Sequence, residues 1–351
     1  MSKKILVAMS GGVDSTYVAY ILKNQGYEIM GLTFLVDHSD NSKKSVLDAK
    51  NVCDLLGIKH VTLDLKNEFE EKVINYFINE YKSGDTPNPC VICNKFIKFD
   101  LLNEIRKKYN LDYVATGHYV RTIKHDGNYL IRCAKNVKKD QSYFLNQVDP
   151  KILQYFIFPL GDVEDKEYVR NYLKDKNISI ASKKESQEIC FVDTKNIGEY
   201  LEKYIKFKDG NIVDENGNIL GKHKGVYKYT IGQRKGLGVS YKYPLYILST
   251  DVKRNEIVVG AKEKIYSDYI EASNVNIFDY KLLKEEGSLK AKIRYKSNFS
   301  DVESIKYDEK KDTVYIKLKE KQKSITPGQF VVLYKDDLIV LGAKIKNIRL
   351  K

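Results

Sequence analysis

The chain has 351 residues, 42% of them hydrophobic, enough for about two domains of roughly 150 residues, each with its own buried core. A small secreted module and a disordered chain are excluded. No apolar run approaches the ~18 residues that cross a bilayer and no signal-peptide pattern follows Met1, so a soluble cytoplasmic protein without a membrane partner is expected. The formal net charge is +13, with Lys and Arg outnumbering Asp and Glu by 29 to 27 in residues 1–200 but by 31 to 20 in residues 201–351. Part of this is a bias towards Lys. Its placement still points to a catalytic half joined to a half that grips nucleic acid, because Lys and Arg contacts to phosphate supply most sequence-independent affinity. A basic surface serving solubility alone is the alternative.

In chain order, Ile5-Leu-Val-Ala-Met9 is a short continuous apolar run of the buried parallel-strand type, followed by a glycine turn and a helix pattern over 14–25 that stops at Gly26. The cycle repeats. Residues 28–34 read as a strand, 43–56 as a helix closed by Gly57, and 58–63 as a strand. An amphipathic helix follows over 67–82, with Phe69, Val73, Phe77 and Tyr81 on one face. After a loop at 83–93 comes a helix over 95–109 and a strand over 112–116. This alternation predicts a doubly wound α/β parallel sheet, whose ligands sit beyond the carboxyl ends of its strands. After residue 205 the pattern changes to short alternating segments with hairpin-turn chemistry, as at Asp209-Gly-Asn and Glu215-Asn-Gly-Asn. The expected domains are 1–205 (the α/β unit), 206–265 (a small, β-rich linker domain) and 266–351 (a C-terminal β-barrel).

Ser10-Gly-Gly-Val-Asp-Ser15 stands between the first strand and the first helix. Two glycines let backbone approach a ligand, two serines offer hydroxyls, and the helix start presents unpaired N–H groups to an anion. It is a phosphate cradle that lacks the Lys of a Walker loop, which disfavours γ-phosphate transfer. The motif resembles the pyrophosphate loop of the PP-loop ATPases, which cleave ATP between the α- and β-phosphates.

Of five cysteines, Cys53 and Cys133 lie among apolar or strand residues and read as packing. Cys90 and Cys93 fall in Thr86-Pro-Asn-Pro-Cys-Val-Ile-Cys-Asn94, and Cys190 in Ser186-Gln-Glu-Ile-Cys-Phe191. A zinc site lacks a second Cys-x-x-Cys, so no metal ligands are assigned, and a thioredoxin-like dithiol would follow a first strand. Two readings remain: a 4Fe-4S cluster held by Cys90, Cys93 and Cys190, and persulfide chemistry between two of the three.

Together with Ala115-Thr-Gly-His-Tyr119, Lys139-Asp-Gln-Ser-Tyr-Phe144, Tyr229-Thr-Ile-Gly-Gln-Arg-Lys-Gly-Leu-Gly238 and Arg294-Tyr295, these blocks occur in the order of the tRNA-specific 2-thiouridylases, the MnmA or TrmU family. The chain resembles that family along essentially its whole length. The SGGVDS loop alone would fit several PP-loop families, including ATP pyrophosphatase ligases acting on small molecules.

The resemblance implies that ATP, with Mg2+, is held by Ala8, Met9, Ser10, Gly11, Gly12, Val13, Asp14 and Ser15, with Phe34 at the adenine and Gly117 contacting the nucleotide. It implies adenylation of the wobble uracil O2 in tRNAs of the Lys, Glu and Gln type, a persulfide on Cys190 and a second nucleophile at Cys93. Asn88, Pro89, Cys90, Lys139, Asp140, Gln141, Arg294 and Tyr295 become tRNA contacts, and 232–238 a tRNA-sensing loop or a tight structural turn. The sulfur donor would be a cysteine desulfurase or a sulfur-relay protein, and the enzyme a monomer. Two departures stand out. Many members carry Asp where this chain has Cys90, and the stretch after Phe34 lacks the family's frequent Met-Lys-Asn-Trp. Cys90 is left as a base contact, an alternative resolving thiol or a cluster ligand.

Overall fold

Ile5, Leu6 and Val7 of β1 (Lys4–Ala8) are fully buried, as a strand covered on both faces requires, and β1 is the middle strand of a five-stranded parallel sheet. The computed structural model describes residues 2–183, 189–194, 196–285 and 287–346. Helix α1 (Val13–Asn24) returns the chain to β2 (Glu28–Leu35) beside β1, and α2 (Asp40–Leu56) returns it to β3 (Lys59–Asp64) beside β2. Ser39 caps α2 through its hydroxyl, and Gly57 ends it with φ +62°, the left-handed conformation that a glycine adopts freely. Next, β4 (Tyr113–Ala115) pairs with the free flank of β1. The hairpin β5 (Val120–His125) and β6 (Asn128–Cys133) precedes β7 (Phe156–Ile157), which extends the parallel sheet beyond β4.

Two compact units emerge. The first holds Met1–Val73, Cys90–Glu188 and Asp337–Ile339; the second holds Ile74–Pro89, Ile189–Asp336 and Val340–Lys351. In the first, Tyr17, Val18 and Leu22 of α1 pack with Val52 and Cys53 of α2 and with Val169 and Leu173. Asp337 belongs there because its carboxylate accepts hydrogen bonds from Arg121 (3.1 Å) and Arg132 (2.6 Å).

The second unit contains the β-rich half. Strands β8 (Gly210–Val213), β9 (Ile219–His223), β10 (Tyr246–Asp251) and β11 (Glu256–Gly260) form a sheet in the order β10-β11-β8-β9 over Ile212, Ile247, Ile257 and Val259. The six strands β12 (Tyr266–Ile277), β13 (Leu289–Lys292), β14 (Ser300–Asp308), β15 (Thr313–Lys323), β16 (Phe330–Lys335) and β17 (Leu338–Ile345) run in the order β12-β15-β14-β13-β16-β17. Pairing of β12 with β17 closes them into a barrel, which removes the exposed edges of an open sheet.

Two sequence expectations are revised. Helical backbone starts at Pro89 and runs through Pro89–Ile92, the wide turns Cys93–Asp100 and Leu101–Lys108, so Cys90 and Cys93 stand in the first turns of a helix rather than in a loop. Proline's fixed φ and missing N–H suit a first helical position. The helix foreseen over 67–82 is present but widens at Glu70–Ile74, keeping Phe69, Val73, Phe77 and Tyr81 buried.

Within the second unit, Asp85 lies beside the Glu80–Lys344 ion pair, and burial, reinforced by the charge of Glu80, pushes its carboxyl from 3.8 up to about 6. A raised carboxyl holds its proton more tightly when folded, so its contribution to stability is greatest at low pH and declines as pH rises from 3.8 to about 6. Thermal melts across this window should show that decline in the native chain, and a shallower one in Asp85→Asn.

Candidate active site

The order β3-β2-β1-β4-β7 makes the chain step away from β1 in one direction and then return to add β4 on the other flank. Loops leaving β1 and β4 therefore part at their carboxyl ends, which is where open α/β sheets bind ligands. Gly117, beyond β4, packs directly on the loop beyond β1. A Cβ at Gly117 would lie 3.1 Å from Asp14 Cβ and 3.2 Å from the Ser15 nitrogen, tighter than an ordinary contact.

The loop itself is prepared for an anion. Gly11 has φ +64°, and a side chain there would run into the Ser45 backbone carbonyl, so both its conformation and its space require glycine. Gly12 precedes α1 in extended conformation and puts no side-chain cap on the helix, leaving its first-turn amides for a ligand. Ser15 is buried and organises the turn: its hydroxyl accepts from the Ser10 N–H (3.1 Å), lies 3.1 Å from the Ser10 hydroxyl and donates to the Gly12 carbonyl (3.2 Å). Ser10 is exposed. Of the other nucleotide candidates, Met9 is buried and donates its N–H to the Leu32 carbonyl (2.7 Å), Val13 is buried, and Ala8 pairs with Leu32 across the sheet. Phe34 is half-buried near the carboxyl end of β2, two residues beyond Leu32.

Three residues that local sequence does not reveal hold this loop. Asp14 accepts a hydrogen bond from the Tyr119 hydroxyl on one oxygen (3.0 Å) and from Lys166 Nζ on the other (2.9 Å). Lys183 Nζ donates to the Gly11 carbonyl (2.8 Å) and pairs with Asp48 (2.6 Å). Arg170 in turn grips the carbonyls of Ala181 and Lys183 (2.6 and 3.0 Å). These two hydrogen bonds orient Asp14 and, through it, the loop.

His118 connects the strand end to the helix of Cys93, lying 2.8 Å from the Thr116 hydroxyl and 3.3 Å from Asn94 Oδ1. Burial, then the charge of Lys98, pushes its imidazole well below 6.5, so the ring is neutral near pH 7. Cys93 is half-buried. Cys90 is exposed by surface area yet set among dense surroundings, and this desolvation pushes its thiol up despite Lys98. In the second unit, Pro89 is buried and Asn88 half-buried, and the Gln329 amide donates to the carbonyls of Thr86 (2.8 Å) and Pro87 (3.3 Å). Cys190 is exposed on a turn closed by a hydrogen bond from the Val192 N–H to the Ile189 carbonyl (3.1 Å). Its neighbours anchor it: Ile189, Phe191 and Val192 pack on a core of Phe77, Tyr81 and Tyr200, with Phe191 5.3 Å from Phe77. Ser186, Gln187 and Glu188 lie outside the described residues.

Cys53 is buried, its thiol pushed up to about 12 by desolvation. Cys133 is half-buried, 3.5 Å from the Ser142 hydroxyl. Among the described residues no group of three or more His, Cys, Asp or Glu side chains is placed to share a metal ion.

Among the expected tRNA contacts, Asp140 is buried, and its carboxylate accepts from the Ala134 N–H (2.9 Å) and the Ser142 hydroxyl (2.7 Å), so it shapes its own loop. The Gln141 side-chain carbonyl accepts from the Tyr119 N–H (2.9 Å), placing this residue behind the Asp14 clamp. Lys139 is half-buried. Arg294 is exposed and donates to the Lys323 carbonyl (3.1 Å), next to half-buried Tyr295. In the 232–238 stretch, the Gly232 N–H donates to the Ile247 carbonyl (2.8 Å) and the Ile247 N–H to the Gln233 carbonyl (3.0 Å), which gives its first residues a structural role.

A parallel sheet with a phosphate-ready loop at its switch point defines a nucleotide-binding α/β domain. Residues 3–194 match the model of the tRNA methyl transferase HUP domain, 198–261 that of the tRNA methyl transferase PRC-barrel domain, and 267–345 that of the aminomethyltransferase beta-barrel domain. The chain is 42% identical to the tRNA-specific 2-thiouridylase MnmA 1 of Clostridium tetani, over 99% of this chain and 98% of that one. It is 41% identical to the tRNA-specific 2-thiouridylase MnmA of Clostridium beijerinckii, over 99% and 100%. The chain belongs to the tRNA-specific 2-thiouridylase family.

The Lys183 clamp predicts that Lys183→Ala raises the KM for ATP about tenfold, as expected for loss of a charge-assisted hydrogen bond. Thermal stability should change little. ATP titration at saturating RNA checks it.

Proposed function

We propose that this enzyme catalyses the ATP-dependent 2-thiolation of the wobble uridine in tRNAs of the Lys, Glu and Gln type, giving 2-thiouridine, AMP and pyrophosphate. The observation that carries the reading is the serine–glycine loop at the switch point, in a chain with the family's cysteines at Cys93 and Cys190. The uracil O2 attacks the α-phosphorus of ATP and pyrophosphate departs, converting a poor leaving group into AMP. Loop amides and the Ser10 hydroxyl stabilise the charge that develops on the phosphates. Mg2+ would bind with the ATP phosphates and neutralise the charge developing on them, with the Asp14 carboxylate as the loop's candidate to orient it.

Sulfur arrives as a persulfide on Cys190, delivered by a cysteine desulfurase or a relay protein. An exposed turn held by apolar anchors suits a residue that must meet a donor protein. The terminal sulfur attacks C2, and AMP leaves with the C2–O bond. The Cys93 thiolate then attacks Cys190 Sγ, breaking the S–S bond, leaving sulfur on C2 and closing a Cys93–Cys190 disulfide that a thiol reductant reopens. Asn88, Pro89 and Cys90 would face the extruded base, since chemistry at C2 requires the base to leave its stack. Lys139, Arg294 and Tyr295 would grip the tRNA. The enzyme acts as a monomer in the cytoplasm; among the described residues no helix is long and apolar enough to cross a membrane.

Mass spectrometry of tRNA nucleosides after incubation with ATP and a persulfide donor should detect 2-thiouridine with the native protein and none with Cys93→Ser or Cys190→Ser. Product formation that instead depends on stoichiometric iron and sulfide in anaerobically purified protein would replace the persulfide route with the cluster one. Arg294→Ala should weaken tRNA binding about tenfold, the loss of a phosphate contact, while leaving ATP binding unchanged.

A further inference from the structure

Between β9 and β10 the chain makes a long loop whose second half lines an open cavity of about 690 Å3. Its walls include Arg234, Tyr241, Lys242 and Tyr243 and contain no Asp or Glu. Tyr241 and Tyr243 leave 39% and 40% of their surface in water. Their ring centroids are 5.0 Å apart with planes at 83°, and Lys242 Nζ lies 5.9 Å from one ring centroid and 5.7 Å from the other. Two glycines with positive φ, Gly236 (+79°) and Gly238 (+66°), turn the chain on the approach, while the hydrogen bonds of Gly232 and Gln233 to Ile247 tie its start to β10. The platform is therefore fixed at its base.

Large exposed rings interleaved with cations have no role in the core of this unit. Asp214 and Glu215, the acids whose charge reaches Tyr243, are engaged nearby: Asp214 accepts from the Asn216 and Asn218 N–H groups (2.9 and 2.8 Å), and Glu215 pairs with Lys264 (3.4 Å). Rings combined with positive charge suit an unpaired nucleic acid strand, because every base offers a π-face and every link a phosphate.

We infer that Tyr241, Lys242 and Tyr243, with Arg234, form a platform for an unpaired stretch of the tRNA substrate, stacking exposed bases on the two rings and drawing backbone phosphates to the two cations. This rests on the thiolation reading above. It assigns the linker sheet a share in substrate recognition that is separate from the chemistry at Cys93 and Cys190.

The test measures tRNA affinity by filter retention for the full chain and for the Tyr241→Ala/Tyr243→Ala, Tyr241→Phe/Tyr243→Phe and Lys242→Ala variants, with ATP affinity as the check on folding. Loss of both rings in the alanine pair should weaken tRNA binding about a hundredfold, roughly tenfold per ring, and the Phe pair should retain it, since stacking needs the ring and not the hydroxyl. Lys242→Ala should reduce the slope of log affinity against log salt by about 0.7. An alanine pair that binds ATP and holds tRNA as tightly as the native chain overturns the platform. A native chain that binds ATP but no tRNA overturns the thiolation reading itself.

Discussion

The Asp14 carboxylate lies between two donors contributed from far along the chain, Tyr119 and Lys166, and the shape of the nucleotide loop depends on that arrangement. A glycine-rich turn has many conformations available to it. Here Ser15 organises the turn from within, Gly117 closes against it, and Lys183 holds the Gly11 carbonyl from outside. The first-turn amides of α1 thereby remain aimed at a ligand, and orienting donors before the substrate arrives is what lets them stabilise charge at no cost in reorganisation. Each clamp originates in a different part of the fold: the loop after β4, the helix Lys166–Asp175 and Lys183, directly after the short helix Ser179–Ser182. The parallel sheet is what brings them together.

This arrangement explains which parts of the site could be read from sequence. The loop is contiguous and its chemistry is local, so Ser10, Gly11, Gly12 and Ser15 declared it directly. The strand–helix alternation likewise follows from local periodicity and predicts the sheet. Lys166 and Lys183 carry no local signal among 52 lysines, because their partners are 152 and 172 residues away. Tyr119 and Gln141 stood in blocks that marked the family, yet only the fold shows that one positions the other and that both serve Asp14. The burial of Asp140 likewise has no local signal: only the fold shows that its carboxylate satisfies the turn beneath it.

The helix that begins at Pro89 changes how the cysteine pair is understood. In a loop, Cys90 and Cys93 would have free relative geometry; on a helix their spacing is fixed by the backbone, and both stand where the dipole favours negative charge. For Cys90 the dense surroundings outweigh that effect and its thiol is pushed up. Desolvation therefore favours the neutral thiol of Cys90. A thiol can donate a weak hydrogen bond to a base but is a poor acid–base group and a slow nucleophile.

The three thiols stand in different surroundings. Cys190 is exposed on a turn whose flanking Ile189, Phe191 and Val192 are partly buried against an apolar core, so the sulfur meets solvent while the backbone carrying it stays in place. Cys93 is partly sheltered, one residue before Asn94, whose side chain bridges neutral His118 and the Phe144 carbonyl. Shelter of that kind protects a thiol from oxidation, whereas an exposed thiol is open both to oxidants and to partner molecules. Exposure at Cys190, partial shelter at Cys93 and a thiol pushed up by desolvation at Cys90 are three different environments for the same chemical group, so the three sulfurs differ in reactivity before any substrate arrives.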